Sequence, residues 1–355
     1  MITNKEELLA WKSRAMKQPS GRIVLDLEAD SLHRYHEKIC LIQYADESGE
    51  DMIDPLSVED MSPFSNWLAE NEIWMHGADY DMSLFLDGWG HLPKFIFDTQ
   101  TAARLLGFRQ FGLAALVEHF HGITLSKASQ KADWGKRPLP DTMLEYALND
   151  VHYMLSMADS LVSQLKEKDR YGWFLEICRN NMERAIERNK AGNPDPWRIQ
   201  GSGRLTRKGL AALRILWRWR DHEASTWDKP SFMVCSNADL IRWSNDLQEQ
   251  KTVAPLSRFH SHRKERFTAA LQKFYRLDED EYPRRNVCLR RQKCDEFDER
   301  LDKLIAKRDK VAEKLELEPS FLASRSTLEA IAEDEEKGVA ALLNWQVEAM
   351  GFCRK

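Results

Sequence analysis

The sequence lacks any long apolar run. No stretch of its 355 residues approaches the roughly 20 apolar residues that a membrane-spanning helix needs. The N-terminal segment MITNKEELLAWKSR is polar and charged, which is untypical of a secretory signal peptide. We therefore expect a cytoplasmic protein, and a composition of 43% hydrophobic and 31% charged residues is typical of a globular chain.

Cysteine is scarce and scattered along the chain. The six cysteines include no CxxC pair, and no histidine lies near them in zinc-binding spacing. This pattern argues against a structural zinc site and against a disulfide framework, and it favours reduced thiols. The cysteines are Cys40, Cys178, Cys235, Cys288, Cys294 and Cys353.

Net positive charge, a common feature of nucleic-acid-binding proteins, is also missing, since the formal net charge is −5. The total conceals an asymmetry along the chain. Residues 1–150 carry 14 Lys/Arg and 24 Asp/Glu, a balance of −10, whereas residues 198–276 carry 16 and 7, a balance of +9. An acidic half followed by a basic half suits a carboxylate-rich metal site joined to a polyanion-binding module, but ordinary solvated charge explains it equally well.

The order of the predicted elements indicates two kinds of domain, and the length favours two or three domains in all. Short apolar runs predict strands at 22–27, 38–45, 50–53 and 72–75, the first three forming an antiparallel meander in a mixed sheet. Apolar periodicity predicts helices at 61–70, 80–88, 99–106, 113–120 and 140–166. Beyond residue 203 almost every segment has a helical pattern, so we expect an α/β domain followed by an α-helical region.

Two features divide the second half of the chain. The segment NKAGNPDPWRIQGSG at 189–203 is rich in Gly, Pro and Asn and predicts a linker. After it, Arg220-Asp221 precedes a Pro-Ser-Phe triplet at 230–232, and Arg308-Asp309 precedes the same triplet at 319–321. This recurrence, about 88 residues apart, predicts two copies of one small helical domain.

Three acidic clusters occur in the α/β half. Asp26 and Glu28 flank a single residue in the first predicted strand, so both carboxylates point to one face of the sheet. Asp81 ends the segment HGADYD, between a predicted strand and a helix. Tyr146 and Asp150 are four residues apart in a predicted helix and therefore share one helical face.

Such a set suits the hydrolysis of a phosphodiester. Two divalent ions about 4 Å apart can stabilise both the attacking and the leaving oxygen. Hard ions such as Mg²⁺ and Mn²⁺ prefer oxygen ligands, which four carboxylates supply without His or Cys. A phenol beside them can orient the attacking water.

The pattern D-x-E, then aromatic-D, then Y-x3-D resembles the three exonuclease motifs of the DEDD superfamily in its tyrosine-bearing subgroup, and it is most similar to bacterial ribonuclease D. The segments DSLHRYHEKICLIQ, FDTQTAARLLG, FGLAALVEHFHGITLSKASQKADW and RPLP also resemble that family. LRILWRWRDHEASTWDKPSF resembles an HRDC domain, and LIAKRDKVAEKLELEPSFLASRSTLEAIA resembles a second copy. The resemblance covers nearly the whole chain.

The resemblance implies a ribonuclease H-like 3′-5′ exonuclease domain at 1–188, a linker at 189–203, and two all-α HRDC-like domains at 204–283 and 284–355. It also implies that Asp26, Glu28, Asp81 and Asp150 bind two Mg²⁺ or Mn²⁺ ions and that Tyr146 holds the water. Leu27 departs from the Thr that is common in the first motif, and Gly77 replaces an Asn often found four residues before the second-motif Asp. These departures concern substrate positioning and remove no ligand.

Several basic and aromatic residues are candidates for contact with nucleic acid. The segment KASQKADWGKR at 127–137 could line the path of the strand, through Lys131 and Arg137 in particular, or be an ordinary polar loop anchored by Trp134. Trp217, Trp219 and Trp227 are better explained by core packing than by base stacking. We interpret His119 and His121, which alternate in a loop-like stretch, as structural or surface residues. Candidates for phosphate contact in the basic region are Arg207, Lys208, Arg214, Arg218, Arg263, Lys264 and Arg266.

The resemblance implies release of 5′-mononucleotides from RNA 3′ ends, with tRNA precursors or other structured RNAs as partners. A 3′-5′ DNA exonuclease is the main alternative, because the residue that would contact the ribose 2′-hydroxyl cannot be located from the sequence. A non-catalytic RNA-binding scaffold is the alternative from another class. It would be expected to lose one or more of the carboxylates, and all four are present.

Overall fold

A computed structural model of the chain describes residues 1–15, 22–126, 128–286 and 295–353. The chain forms two units, each built from separate segments. The first comprises Met1–Ala29, Ile39–Ala191 and Gln292–Lys355, and the second comprises Asp30–Lys38 and Gly192–Arg291. The four-part division suggested by the sequence follows the chain and remains a prediction, whereas these units report which segments pack together.

A five-stranded mixed sheet forms the centre of the first unit. Its strands are β1 Ile23–Ala29, β2 Ile39–Asp46, β3 Gly49–Ile53, β4 Glu72–Met75 and β5 Phe95–Asp98. The spatial order is β3-β2-β1-β4-β5. β1, β2 and β3 pair antiparallel, while β4 pairs parallel to both β1 and β5. The predicted meander and mixed sheet are confirmed, and β5 is an addition that the sequence patterns did not reveal.

Alternation along β1 separates the hydrophobic core from the acidic residues. Ile23, Leu25 and Leu27 are buried in one apolar cluster on one face of the sheet. Val24 is buried in a second cluster on the other face. Because side chains alternate along a strand, Asp26 and Glu28 project on the same face as Val24. The sheet is therefore covered on both faces, and β1 changes from apolar to acidic along one of them.

Eight helices surround this sheet within the described part of residues 1–191. They are α1 Lys5–Ala15, α2 Ser62–Glu70, α3 Asp79–Trp89, α4 Thr99–Leu106, α5 Leu113–His121, α6 Asp141–His152, α7 Met154–Glu167 and α8 Tyr171–Ala191. The single helix predicted at 140–166 is wrong, because the backbone breaks at Tyr153 between α6 and α7. His119 and His121 lie in the last turn of α5 and not in a loop-like stretch, and His119 is exposed, as expected for a surface residue. The α-helix α1 was not predicted.

The second unit is helical. It contains α9 Arg207–Trp227, α10 Ser231–Val234, α11 Asn237–Gln248 and α12 Ser261–Tyr275. Trp219 lies in its core. Trp227 is 46% exposed, so the core-packing prediction is wrong for this residue, whose ring instead lies 4.8 Å from the Arg263 guanidinium carbon.

The C-terminal helices repeat the pattern of the second unit. They are α13 Asp295–Leu315, α14 Pro319–Leu322, α15 Arg325–Glu333, α16 Glu335–Ala340 and α17 Asn344–Met350. Like α9 and α10, α13 and α14 are a 21-residue helix followed by a four-residue helix. Arg220 donates to the carbonyl of Cys235, and Arg308 donates to the carbonyl of Ala323, in each case the residue that ends the short helix. The predicted internal repeat is therefore confirmed at the level of its elements.

None of the helices in the described ranges is long and apolar enough to cross a bilayer. Cys40, Cys178 and Cys235 are buried, and Cys353 is exposed. Cys288 and Cys294 lie outside the described residues.

Candidate active site

Three of the five predicted catalytic residues supply a compact set of carboxylates. β1 presents Asp26 and Glu28, and α6, which packs across β1 and β2, presents Asp150. One oxygen from each of the three carboxylates lies within 4.8 Å of the others. The structure thus brings together residues that are separated by more than 120 positions in the chain.

Asp81 and Tyr146 complete the predicted group. Asp81 lies in the first turn of α3 and is only 8% exposed. Its charge raises the pKa of both Asp26 and Glu28, so it faces the same acidic cluster. Tyr146 precedes Asp150 by one turn of α6, and its hydroxyl hydrogen-bonds Asp150. The helix predicted at 80–88 already included Asp81, and the observed helix begins one residue earlier, at Asp79.

Burial perturbs every carboxyl group of the cluster, and repulsion from neighbouring carboxylates adds to it at Asp26, Glu28 and Asp81. Burial, followed by the charges of Asp150 and Asp81, raises the pKa of Glu28 to about 8. Burial raises the pKa of Asp81 to about 7, and it raises that of Asp150 to about 7 against an opposing hydrogen bond from Tyr146. The pKa of Asp26 is raised well above its usual range, again by burial first and then by its acidic neighbours.

These shifts indicate what would bind at the cluster. Among the residues that the structure describes, no lysine or arginine charge lowers the pKa of any of the four carboxyls. Buried carboxylates that repel each other and have no cationic partner are stabilised by a cation that takes oxygen ligands. The donor set therefore fits hard divalent ions, in agreement with the ligand chemistry expected from the sequence.

A cavity of about 420 Å³ opens beside the carboxylates. One part of its wall is acidic, formed by Asp26, Glu28 and Asp150, and Tyr146 adds a phenol. Another part is apolar and belongs to the start of α5 and the loop that follows α5. The remaining lining residues are His76, Gly112, Leu113, Ala114, Ala115, Leu125, Ser126 and Gln130.

His76 is a wall residue whose role was not recognised in the sequence, although it opens the HGADYD segment. The Thr99 hydroxyl donates to the Met75 carbonyl at 3.1 Å and accepts from His76 Nδ1 at 3.0 Å. The proton is thereby placed on Nδ1, and Nε2 is a buried acceptor with no partner among the described residues. Burial lowers the pKa of His76 to about 4, so the imidazole is neutral at neutral pH.

Gly77 explains one departure from the family pattern. Its φ is +68°, a left-handed backbone conformation that glycine adopts without strain. A Cβ at this position would meet the Gln100 side-chain amide at 3.1 Å. The backbone N–H of Gly77 donates to Asp98 at 2.8 Å, which fixes the turn between β4 and α3. An asparagine here would strain this turn.

The two candidates in the 127–137 segment differ in their surroundings. Lys131 is exposed, and Lys127 lies outside the described residues. The Arg137 guanidinium donates twice to the buried Asp54 at 2.6 Å and also bonds the backbone carbonyls of Trp134, Lys136 and Cys40. The Arg137 guanidinium thus bonds groups of the protein itself, and its contact with nucleic acid remains a prediction.

The basic candidates in the second unit also fall into two groups. Arg207 donates to the carbonyls of Glu279 and Tyr282, and Arg214 donates to the carbonyl of Glu281. Arg263 and Arg266 both bond the buried Glu223. The side chains of Lys208, Arg218 and Lys264 form no hydrogen bond or ion pair within the described ranges. Among the basic candidates of the second unit, these three have charges that can still bind a phosphate.

Comparison with known proteins shows which family model and which proteins this chain is similar to. Residues 1–166 match the family model of the 3′-5′ exonuclease domain. Ribonuclease D of Cronobacter turicensis is 33% identical over 248 residues, which cover 68% of this chain and 65% of that protein. Ribonuclease D of Zymomonas mobilis is 29% identical over 369 residues, covering 99% of this chain and 92% of that protein. The match thus spans just under two thirds of the Cronobacter enzyme but nearly all of the Zymomonas one.

A solved structure supports the same relationship across both halves of the chain. The structure of Escherichia coli RNase D, described as an exoribonuclease involved in structured RNA processing, is 27% identical in sequence. It superposes with a TM-score of 0.73 and covers 94% of this chain and 89% of that one. The resemblance to bacterial ribonuclease D, first noted in the motifs, is therefore confirmed. The chain is similar to ribonuclease D over nearly its whole length, and its first 166 residues match the 3′-5′ exonuclease family model.

Proposed function

We propose that this chain is a 3′-5′ exoribonuclease that releases 5′-mononucleotides from the 3′ ends of tRNA precursors or other structured RNAs. The observation that carries the proposal is the set of partly buried carboxylates of Asp26, Glu28 and Asp150, with oxygens within 4.8 Å of one another beside a cavity. Its setting in a domain of the 3′-5′ exonuclease family favours phosphodiester hydrolysis over simple ion storage.

Asp26, Glu28, Asp81 and Asp150 would hold two Mg²⁺ or Mn²⁺ ions. When bound, such ions activate a water and stabilise the charge that develops on the phosphate and on the leaving oxygen. The Tyr146 hydroxyl, held against Asp150, would orient the attacking water. The apolar wall at 113–115 would pack against the terminal nucleotide and exclude bulk water from it.

Basic residues of the second unit are proposed as a further contribution to RNA binding. Lys208, Arg218 and Lys264 are proposed to contact phosphates, which positions a strand without reading its sequence. Lys131 is proposed to contact the strand nearer the cavity. The relatives named ribonuclease D, and the E. coli RNase D described as an exoribonuclease involved in structured RNA processing, support RNA as the substrate class.

The test compares RNA and DNA oligonucleotides of one sequence, labelled at either the 3′ or the 5′ end, in the presence of Mn²⁺. We expect the native protein to release single nucleotides from the RNA 3′ end. Asp26→Asn and Asp150→Asn should each lower the rate by several orders of magnitude, because a charged ligand is lost without a change of shape. Glu145→Gln is the matched control, since Glu145 is an exposed carboxylate beside Tyr146 on the same helix.

The possible outcomes separate three functions. Preference for DNA would identify a DNA exonuclease. RNA binding without hydrolysis that depends on Asp150 would identify a binding protein. Near-normal turnover by the two Asp→Asn variants in a pure preparation would contradict the site assignment itself.

A further inference from the structure

Gln43 in β2 is a buried polar residue with no partner. Its side chain is fully inaccessible to solvent, and neither its amide nitrogen nor its amide oxygen has a hydrogen-bond partner among the described residues. Burying an amide without a hydrogen bond costs free energy, so an apolar residue would suit this place better if packing were the only requirement. The surrounding layer is indeed apolar, with Leu41 and Met52 buried nearby.

The register of the sheet identifies the group that Gln43 can serve. Gln43 is directly opposite Asp26 in the antiparallel pair of β1 and β2. Residues directly opposite each other project to the same face, with Cβ atoms about 5 Å apart. On its other side Gln43 is opposite Met52 of β3, which offers only a weakly accepting thioether. Of the two cross-strand neighbours of Gln43, Asp26 is therefore the one whose side chain is a strong hydrogen-bond acceptor.

Asp26 in turn needs donors when it is ionised. Among the interactions that perturb it, a backbone hydrogen bond from Leu27 is the one that favours the charged form. A carboxylate that binds a cation through one oxygen is commonly held by a hydrogen bond at the other oxygen. A neutral amide can supply this bond without reducing the negative charge that attracts the cation, whereas a lysine or arginine would reduce it.

We propose that Gln43 is a positioning residue: once a divalent cation occupies the carboxylate cluster, the Gln43 side-chain amide donates a hydrogen bond to the Asp26 carboxylate and holds Asp26 toward the cation. The inference rests on the proposed function, because it assigns a cation to the carboxylate cluster. It adds a residue outside the four carboxylates and Tyr146 to the site. It also explains why an amide lies where the surrounding layer is apolar.

The test measures Mn²⁺ binding by the full-length protein, from the loss of the free Mn²⁺ signal in electron paramagnetic resonance. Gln43→Met keeps the length of the side chain and removes its donor. We expect the Mn²⁺ affinity to fall about 10- to 100-fold, the range found when a hydrogen bond to a metal ligand is removed. Thermal unfolding of the metal-free variant should be unchanged or shifted upward, because an unsatisfied amide is lost.

Controls separate positioning from packing. Met52→Leu changes the other cross-strand neighbour without touching a polar group and should leave Mn²⁺ affinity at the native value. Gln43→Leu provides a second variant if Gln43→Met does not fold, and it should show the same loss of affinity. Native Mn²⁺ affinity in a folded Gln43 variant, or an equal loss in Met52→Leu, would overturn the inference.

The outcome is distinguishable from failure of the proposed function. If the native protein binds Mn²⁺ but hydrolyses no RNA, the exonuclease proposal fails while the role of Gln43 is still measured by affinity. If the native protein hydrolyses RNA and the Gln43 variants bind Mn²⁺ normally, only the inference fails. If the native protein binds no Mn²⁺, both are overturned.

Discussion

Four carboxyl side chains converge near the end of β1, and the protein around them determines how strongly each holds its proton. Asp26, Glu28, Asp81 and Asp150 all have raised pKa values because burial disfavours their charged forms, and neighbouring carboxylates raise the values of the first three further. Free carboxyl groups have pKa values near 4, so the folded chain retains protons that the unfolded chain has already lost. Binding of a divalent ion must therefore compete with protonation at this site.

A pH dependence of stability follows from these values. For the metal-free protein, the free energy of unfolding should fall by about 1–3 kcal/mol between pH 6.5 and 8.5, as groups with folded pKa values of about 7 to 8 lose their protons. His76, with its pKa lowered to about 4, acts in the opposite direction, but only at lower pH. Urea denaturation at the two pH values measures the difference.

Two controls accompany this measurement. Glu28→Gln should flatten the dependence, because it removes the group with a pKa of about 8. Saturating Mn²⁺ should stabilise the protein more at pH 8.5 than at pH 6.5, because fewer protons must be displaced. A native protein whose stability rises over this interval in the absence of metal would contradict the carboxylate assignment.

At the residue scale, the sequence predicts which side chains share a face better than it predicts what surrounds each of them. The i, i+2 spacing of Asp26 and Glu28 and the i, i+4 spacing of Tyr146 and Asp150 follow from backbone geometry, so their shared faces are predictable. Whether Trp227 is buried depends on which residues pack around it in three dimensions, and no local pattern contains that information. The same holds for Gln43, which the sequence presents as one polar residue in an apolar strand.

At the scale of elements, Arg137 joins the loop before α6 to the end of β3. Asp54, which follows β3, is 1% exposed. Burial alone would raise the pKa of Asp54, but hydrogen bonds from Arg137 and Ser57 overcome it and lower the pKa. The ion pair therefore links the sheet to the loop that leads into α6, the helix that carries Tyr146 and Asp150.

Removal of this link should destabilise the fold. Arg137→Met leaves the Asp54 charge buried without its partner and should cost about 2–3 kcal/mol, a value reduced from that of a fully buried pair because the Arg137 side chain is 25% exposed. Chemical denaturation measures the loss. Lys136→Met, at an exposed neighbour, is the matched control and should change stability by less than about 0.5 kcal/mol. Equal stability of the two variants would show that the ion pair contributes nothing.

Elements differ in how well their sequences reveal them. β4 and α4 have the bounds expected from the sequence, because apolar pattern and flanking residues agree. β5 has only four residues and gains its place from pairing with β4 and from packing of Phe97 on Trp74. The break at Tyr153 between α6 and α7 is invisible in the sequence, because helical periodicity continues through it.

At the scale of the whole molecule, the C-terminal helices belong to the core of the first unit. Leu317 and Trp345 lie in the same apolar cluster as Leu105 and Phe174. Gly107, with a φ of +90°, has no room for a Cβ, which would meet the Glu316 carbonyl oxygen at 2.4 Å. The sequence predicts the repeat but not the packing of its second copy in the first unit, since no local sequence pattern in either copy shows what that copy packs against.

Arg170 is the residue through which this packing can be tested. It is 7% exposed and donates to the Leu105 carbonyl at 2.6 Å and to the Leu315 carbonyl at 2.7 Å, so one guanidinium satisfies the C-terminal ends of α4 and α13. Arg170→Met should lower the free energy of unfolding by about 2–3 kcal/mol. Lys168→Met removes only an exposed ion pair with Glu316 and should cost less than about 1 kcal/mol. Similar losses in the two variants would argue against this bracing role.

Because the C-terminal helices are part of that core, the contribution of the basic unit to RNA binding is best tested by neutralising its charges, and not by truncating the chain. Changing Lys208, Arg218 and Lys264 to Gln should weaken binding of single-stranded RNA and reduce the slope of log affinity against log salt by about 0.7 for each phosphate that the variant no longer neutralises. Hydrolysis of very short oligonucleotides should change little, because the carboxylates are untouched.

Changing Lys303, Lys310 and Lys314 of α13 to Gln alters net charge equally and provides the control. An identical salt slope in the native protein and the first triple variant would exclude these three residues as phosphate ligands, whereas an equal decrease in both variants would indicate a response to total charge alone.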